Sequence, residues 1–136
     1  FVTEAKLNSS DWSNKPYCFS HDFCESPLND YNFDAVYSLD VLEHINPELE
    51  IQFLKNITKS CKNNSKFIFG MPSLESQEHI ALDKRDPGHI NCKTQSGLIE
   101  TLSKVFPVVF PFSLNDEVLH TGFGPMSHYL ICICVN

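Results

Sequence analysis

Residues 33–45 read FDAVYSLDVLEHI and are followed by Asn46 and Pro47. The first part of this stretch, residues 33–39, is a short and mostly apolar run, which predicts a buried β-strand. Asn46 with Pro47 is typical of a helix start, because Asn caps free backbone amides and Pro fits the first helical position. The stretch therefore predicts a strand that leads into a helix, as in an α/β fold.

Strands and helices alternate along the rest of the sequence. An apolar stripe at helical spacing over residues 49–61 predicts one helix, and Thr94 is placed to cap a second. Further strands are predicted at 17–20, 66–71, 108–113 and 128–135, with long loops at 73–93 and 113–126. This order predicts a mainly parallel sheet, covered by helices in three layers. No helix separates the last two strands, so they pair antiparallel or leave the alternating pattern.

Size and charge restrict the classes of protein to consider. The 136 residues suit one domain and are too few for two comfortable ones. No apolar run approaches the ~20 residues of a membrane helix, so no membrane partner is expected. Seventeen acidic against ten basic residues give a net charge of -7, and Arg85 is the one arginine. Such a surface repels phosphate backbones and argues against nucleic-acid binding.

The six cysteines lack the spacing of a metal or redox centre. Neither Cys-x-x-Cys nor His-x-x-x-His occurs, so the sequence predicts no metal site. Cys132 and Cys134 flank one residue of a predicted strand and so share one face, which favours buried packing. We expect reduced thiols and a cytoplasmic location.

Ligands of an open parallel sheet bind at the carboxyl ends of its strands. That rule singles out residues 21–23 after the strand at 17–20, residues 39–44 after the strand at 33–39, and Pro72 with Ser73 after the strand at 66–71. The loop at 113–126 is the fourth candidate segment.

The order of these segments resembles class I S-adenosylmethionine-dependent methyltransferases. Residues 33–45 resemble the segment that ends the fourth strand in that family, and residues 67–72 resemble the fifth strand with its proline. Residues 19–23 are similar to the third strand and its acidic loop, and residues 88–91 to the segment after the fifth strand. The resemblance implies a partial Rossmann-like fold in which 128–135 inserts antiparallel between 66–71 and 108–113. It also implies S-adenosylmethionine as cofactor and methyl transfer to a small-molecule acceptor.

The sequence departs from the family in its first part. No glycine precedes Gly70, so the Gly-x-Gly-x-Gly loop that cradles the cofactor has no counterpart. Residues 1–136 therefore resemble a single truncated methyltransferase-like domain, without its first strands, and we expect it to be inactive alone. A non-enzymatic α/β remnant or interaction module that binds no cofactor is the alternative.

The resemblance also implies roles for individual residues. Asp22 would accept a hydrogen bond from the adenine amino group, with Phe23 beside the ring, while Leu39 and Asp40 would meet the amino-acid part of the cofactor. Asp22 could equally be a turn aspartate and Asp40 a solvated loop acid.

Three further side chains are candidates for catalysis. His44 would orient the acceptor or take a proton, and His120 or Glu117 could act as a general base. The alternatives are a role in packing and at the helix start for His44, and an exposed loop position for His120.

The missing first strand leaves one side of residues 33–39 without a native neighbour. Unpaired edges are templates for pairing with another chain. Two repairs are open: residues 17–23 could lie beside the strand, or two copies could form a homodimer through this edge.

Overall fold

Five strands form one sheet in the computed structural model, which describes residues 12–115, 118–122 and 124–136. The strands are β1 (Phe33–Leu39), β2 (Cys61–Pro72), β3 (Val108–Asn115), β4 (Val118–His120) and β5 (Tyr129–Val135). The helices are α1 (Glu50–Lys59), the short α2 (Leu74–Glu78) and α3 (Gln95–Ser103), with 3-10 turns at Leu42–His44, Leu82–Lys84 and Gly124–Met126. None of the described helices is long and apolar enough to cross a membrane.

The sheet order is β1-β2-β5-β3-β4, and its directions confirm the expected topology. β1 pairs parallel with β2, while β5 pairs antiparallel with both β2 and β3. The last strand therefore lies between its two predicted neighbours. β4 was not predicted, because it lies within the segment 113–126 that the sequence indicated as a loop; it pairs antiparallel with the end of β3.

The cap predicted at Thr94 is confirmed, whereas the helix predicted to start at Asn46 and Pro47 begins later, at Glu50. The Asn46 side-chain oxygen accepts from the Glu48 amide at 3.0 Å, and the first turn over Pro47 leads into α1. The Thr94 hydroxyl accepts from the Gly97 amide at 3.1 Å at the start of α3. The Thr94 cap satisfies an amide that has no partner within α3 and fixes where that helix begins, while Asn46 caps only the turn before α1.

The prediction of a strand at residues 17–20 is wrong, because these residues have no ladder partner in the described chain. Ring stacking holds the segment instead: Phe19 lies 5.8 Å from Tyr31, which lies 5.1 Å from Phe33 at the start of β1. These contacts hold it through side chains and leave its backbone outside the sheet.

One apolar cluster joins α1 and α3 to a single face of the sheet. It contains Leu42, Phe53, Leu54, Ile57, Phe67, Phe69, Met71, Leu98, Leu102, Phe106, Leu130, Cys132 and Cys134. On the other face, register places Tyr37, Ile68, Ile133 and Phe110 in one row, where Tyr37 is 77% and Phe110 55% exposed. The described residues thus form two layers, and the three-layer arrangement expected from the sequence is not present in them.

A buried polar network fixes the end of the connection between β2 and α3. The Asn91 side-chain amide donates to Glu50 Oε1 at 3.0 Å, and Lys93 Nζ lies 3.2 Å from Glu50 Oε2. Both partners of this ion pair are largely buried, and Glu50 begins α1. The network therefore ties residues 91–93 to the start of α1, close to the turn after β1.

Candidate functional site

The carboxyl end of β1 is shaped by a glycine on β2. A Cβ atom at Gly70 would come within 2.7 Å of both Leu39 Cδ2 and Tyr129 Cε1. Such distances are below van der Waals contact, so only glycine lets these two side chains meet above β2. The Asp40 amide donates to the Gly70 carbonyl at 3.0 Å, and Asp40 itself has a left-handed φ of 55°.

The Tyr129 hydroxyl and Asp40 interact electrostatically at this point. Burial raises the pKa of the Tyr129 hydroxyl above its usual range, and the neighbouring Asp40 carboxylate raises it further. The phenol therefore stays neutral and keeps its proton for hydrogen bonding. In the sequence, the signal for this close approach is the glycine inside the apolar run of β2.

Asp22 lies in the turn that follows residues 17–20. Its Oδ1 accepts from the Cys24 amide at 2.7 Å, and its carbonyl accepts from the amides of Glu25 and Ser26. This is the local bonding of a turn aspartate, as the alternative interpretation required. The side chain is nonetheless exposed, so its carboxylate is accessible to a ligand.

Phe23 anchors that turn to α1. Its ring meets Phe53 edge-on at 6.2 Å, and His21 meets Phe23 edge-on at 4.7 Å. The Phe23 carbonyl also accepts from the buried Asn56 side chain at 2.8 Å. These contacts hold the Asp22 turn against the side of α1.

A groove of about 810 Å³ lies between residues 19–23, β1 and α1. Asp22, Phe23 and Leu39 line it, so three of the four expected cofactor residues face one space. Asp40 follows Leu39 directly but is not part of the lining. Groove walls are mainly apolar, and a volume of this size suits a small-molecule ligand.

The turn after β1 contains a buried carboxylate with no hydrogen-bond partner. Glu43 is fully buried, and neither of its carboxylate oxygens is hydrogen-bonded. Burial raises the pKa of Glu43 above its usual value, and the nearby Asp40 carboxylate raises it further. His44 follows it, with Nδ1 donating to the Gly88 carbonyl at 2.9 Å and Nε2 4.0 Å from Glu43 Oε1.

His89 completes this group from a distant part of the sequence. Its ring lies 5.0 Å from the ring of His44, and its Nδ1 donates to Gln77 Oε1 at 3.1 Å. The Asn91 amide donates to the Glu43 carbonyl at 2.9 Å, which fixes the two segments side by side. In the sequence, His89 falls only within the loop predicted at 73–93.

The candidate bases are not brought together. His44 follows β1, whereas His120 lies on β4 at the opposite edge of the sheet, roughly four strand spacings or ~19 Å away. His120 Nδ1 accepts from the Gly122 amide at 2.8 Å, a local contact within its own turn. Glu117 lies outside the described residues.

Comparisons with known proteins agree with this fold. The family model for a methyltransferase domain matches residues 1–69, which is about half of the chain and includes β1 and the turn after it. No curated protein sequence matches the chain at a significant level.

Several solved structures share the architecture at low sequence identity. A small RNA methyltransferase, HEN1, has a TM-score of 0.66 and 16% identity over 84% of this chain. A protein from Thermotoga maritima, described as a "possible histamine N-methyltransferase", has a TM-score of 0.65 and 13% identity over 89%. The N-methyltransferase NodS from Bradyrhizobium japonicum, in complex with S-adenosyl-L-homocysteine, has a TM-score of 0.65 and 14% identity over 99%.

This chain spans only part of each of these proteins: 15%, 64% and 61% of their respective lengths. At such low identity the structures establish a shared fold, while the family model carries the assignment. The match to residues 1–69 and the sheet order together lead to one conclusion. The chain belongs to the class I methyltransferase family, whose cofactor is S-adenosylmethionine.

Proposed function

We propose that this chain takes part in S-adenosylmethionine-dependent methyl transfer to a small-molecule acceptor. The observation that carries the proposal is the groove beside β1, where Asp22, Phe23 and Leu39 face one space. Asp22 accepts from the adenine amino group, and Phe23 and Leu39 provide apolar walls for the adenosine part. Asp40 stands next to this space and meets the amino-acid part of the cofactor.

Methyl transfer is a direct displacement at carbon, so its main requirement is alignment of the nucleophile with the sulfonium. An oxygen nucleophile also needs a proton acceptor. Because His44 donates through Nδ1, its Nε2 lone pair is free to accept a proton. His44 also follows β1 directly, which favours it over His120 on the far edge strand; Glu117 remains a candidate from the sequence.

The acceptor is a small molecule in this proposal because the chain carries a net charge of -7. That charge disfavours contact with a phosphate backbone, although one structural neighbour is an RNA methyltransferase. All the cysteines are free thiols, which favours a reducing compartment such as the cytoplasm.

Saturation-transfer NMR with S-adenosylhomocysteine tests the cofactor site. We expect weak binding, with Kd on the order of 1 mM, because no glycine-rich loop cradles the amino-acid part. Adenine protons should receive most of the transferred magnetisation, since Phe23 and Leu39 form the walls there. Asp22→Ala should weaken binding about fivefold, which is the loss of roughly one hydrogen bond.

Asp34→Ala is the matched control, because Asp34 is an exposed acid at the start of β1 that pairs with Lys62 outside the groove. If the unmodified chain shows no transfer, the cofactor role is wrong and the chain is a non-enzymatic module. Equal losses in both variants would remove the assignment to Asp22.

The free edge of β1 supports a second proposal, a homodimer. β1 pairs with β2 on one side and, within the described residues, with no strand on the other. Residues 17–23 stack beside it without pairing, so the backbone edge stays open for a second copy. Light scattering should give a dimer mass that falls to the monomer for Tyr37→Pro. The Asp40 amide bonds to β2, so the alternation along the strand points the Tyr37 amide to the free edge. A monomer at millimolar concentration would refute the dimer.

A further inference from the structure

The side chains of Glu43, His44 and His89 each direct one metal-ligand atom into a common space. Those atoms all lie within 4.8 Å of one another. We propose that this group, called here the Glu43 cluster, binds a single divalent transition-metal ion. The proposal does not depend on cofactor binding, since it concerns only these three side chains.

The burial of Glu43 favours a bound cation. A fully buried carboxylate whose two oxygens have no hydrogen-bond partner is costly, because desolvation disfavours its charge. Buried charges in proteins are paired or coordinate metal ions. The Nε2 atom of His44 lies 4.0 Å from Glu43 Oε1, and a neutral imidazole does not offset the cost of burying the carboxylate charge. A cation bound between these two atoms offsets that cost.

Both imidazoles are oriented by a hydrogen bond at Nδ1. His44 Nδ1 donates to a backbone carbonyl of Gly88, and His89 Nδ1 donates to the Gln77 side-chain oxygen. A neutral imidazole that donates through one nitrogen presents a lone pair on the other, so both Nε2 atoms can bind a metal. The Nε2 atom of His89 also lies 3.8 Å from Asp86 Oδ2, an exposed carboxylate at the rim of the cluster. Histidine ligands of metals have this outer hydrogen bond almost always, because it fixes the tautomer and the ring direction.

The protein holds the site together before any ion binds. The Asn91 amide donates to the Glu43 carbonyl, and the Gly88 carbonyl accepts from His44. These two hydrogen bonds hold the chain on either side of His89 against the turn after β1. A Cβ at Gly88 would lie 2.9 Å from His44 Nδ1, which shows how closely the backbone approaches the ring. Ligand atoms of a tetrahedral ion lie about 3.4 Å apart, so small side-chain rotations close the site.

One carboxylate and two imidazoles suit Zn²⁺ and its neighbours in the first transition row better than Mg²⁺. Three protein ligands leave at least one coordination position open, and the half-exposed His44 places that opening towards solvent. Glu43 and His44 lie in the turn between Val41 and Ile45, both of which line the groove beside β1. The ion would therefore present a Lewis acid to an oxygen or nitrogen donor next to that groove, and it would occupy the lone pair that otherwise makes His44 a base.

Titration of the metal-free chain with Co²⁺ and then Zn²⁺ tests the proposal without any cofactor. We expect visible absorption bands of a Co²⁺ site with low coordination number, saturating at one ion per chain and displaced by Zn²⁺. His89→Ala should weaken Co²⁺ binding about 100-fold, and Gln77→Ala about tenfold through loss of the outer hydrogen bond. His79→Ala, an exposed histidine outside the cluster, is the matched control and should change nothing.

Circular dichroism checks that each variant is folded, and His44→Asn replaces His89→Ala if the latter is not. Absence of these bands in the unmodified chain overturns the proposal. So does an equal loss in the His79 variant, or full binding in the folded His89 or His44 variant. None of these outcomes depends on S-adenosylhomocysteine binding, so failure of the cofactor proposal and failure of the metal proposal are seen separately.

Discussion

The groove beside β1 and the Glu43 cluster both follow the same strand, yet they are built in opposite ways. The groove is wide and mainly apolar, and its polar contributor Asp22 is exposed and already used in a local turn. The cluster is compact, and its buried carboxylate has no hydrogen-bond partner. The groove depends on the shape of packed side chains, whereas the cluster depends on polar atoms that converge. Substitutions should separate the two regions accordingly.

Phe53→Ala should have the largest effect, because Phe53 joins the groove to the core. Phe53 is 94% removed from solvent, and the centre of its ring lies 6.2 Å from that of Phe23. Its loss should lower the free energy of unfolding by about 3–5 kcal/mol, as for other buried aromatic residues. Urea denaturation measures this, and Tyr37→Ala on the exposed face should change stability by less than about 0.5 kcal/mol. Similar losses in both variants would show that the two sheet faces are equally packed.

Gly70→Ala should come next, because its Cβ meets the tips of Leu39 and Tyr129 at 2.7 Å. The expected loss is about 1–3 kcal/mol, the usual cost of overpacking, with displacement of Tyr129 from Asp40. Denaturation and the tyrosine absorption titration report these two effects separately. Gly97→Ala in α3 is the control, where Ala favours the helix by up to ~1 kcal/mol. If Gly70→Ala is neutral, Leu39 moves freely and does not shape the groove.

The sequence predicted most of the central sheet. Apolar runs located β1, β2, β3 and β5, and family resemblance placed β5 between β2 and β3. The start of β2 came earlier than expected, because Asn64 adopts a left-handed φ of 64° that lets the strand continue through a polar segment. Residues 17–20 failed as a strand since aromatic stacking holds them without backbone pairing.

The site was less predictable, because its parts come from separate segments. Asp22, Phe23 and Leu39 were expected together from the strand-end rule, and they do line one groove. His89 and Glu43 share no spacing pattern that a local motif search can detect. The amide of Asn91 and the carbonyl of Gly88 bring their segments together, and such backbone contacts leave no trace in residue type.

Glu43→Gln should raise the stability of the metal-free chain, by about 1 kcal/mol, because it removes a buried carboxylate with no partner. With Zn²⁺ at ~100 times its Kd, the unmodified chain should gain about 2.7 kcal/mol and the variant should gain little, so their order reverses. Thermal melts with and without Zn²⁺ measure both arms. A variant that is less stable in both conditions would show that Glu43 has a structural role without a metal.

The smallest effect is expected in the buried sheet core beneath the groove and the Glu43 cluster. Burial raises the pKa of Cys132 and Cys134 on β5, each to about 12, from a model-compound value of 9.0. An unfolded thiol ionises above pH ~9 while the folded one stays neutral, so stability is complete below that pH and falls as pH rises towards the folded pKa. At pH ~9.5 the loss should be at most about 1 kcal/mol per thiol.

Urea denaturation at pH ~7 and ~9.5 measures that loss, and a Cys132→Ala, Cys134→Ala double variant should show a smaller one, because the remaining dependence comes from other groups. Cys18→Ala, at a half-buried cysteine outside the sheet, is the matched control. If the double variant retains the full dependence, the β5 thiols ionise in the folded chain, and the core under the groove and the cluster is open to solvent.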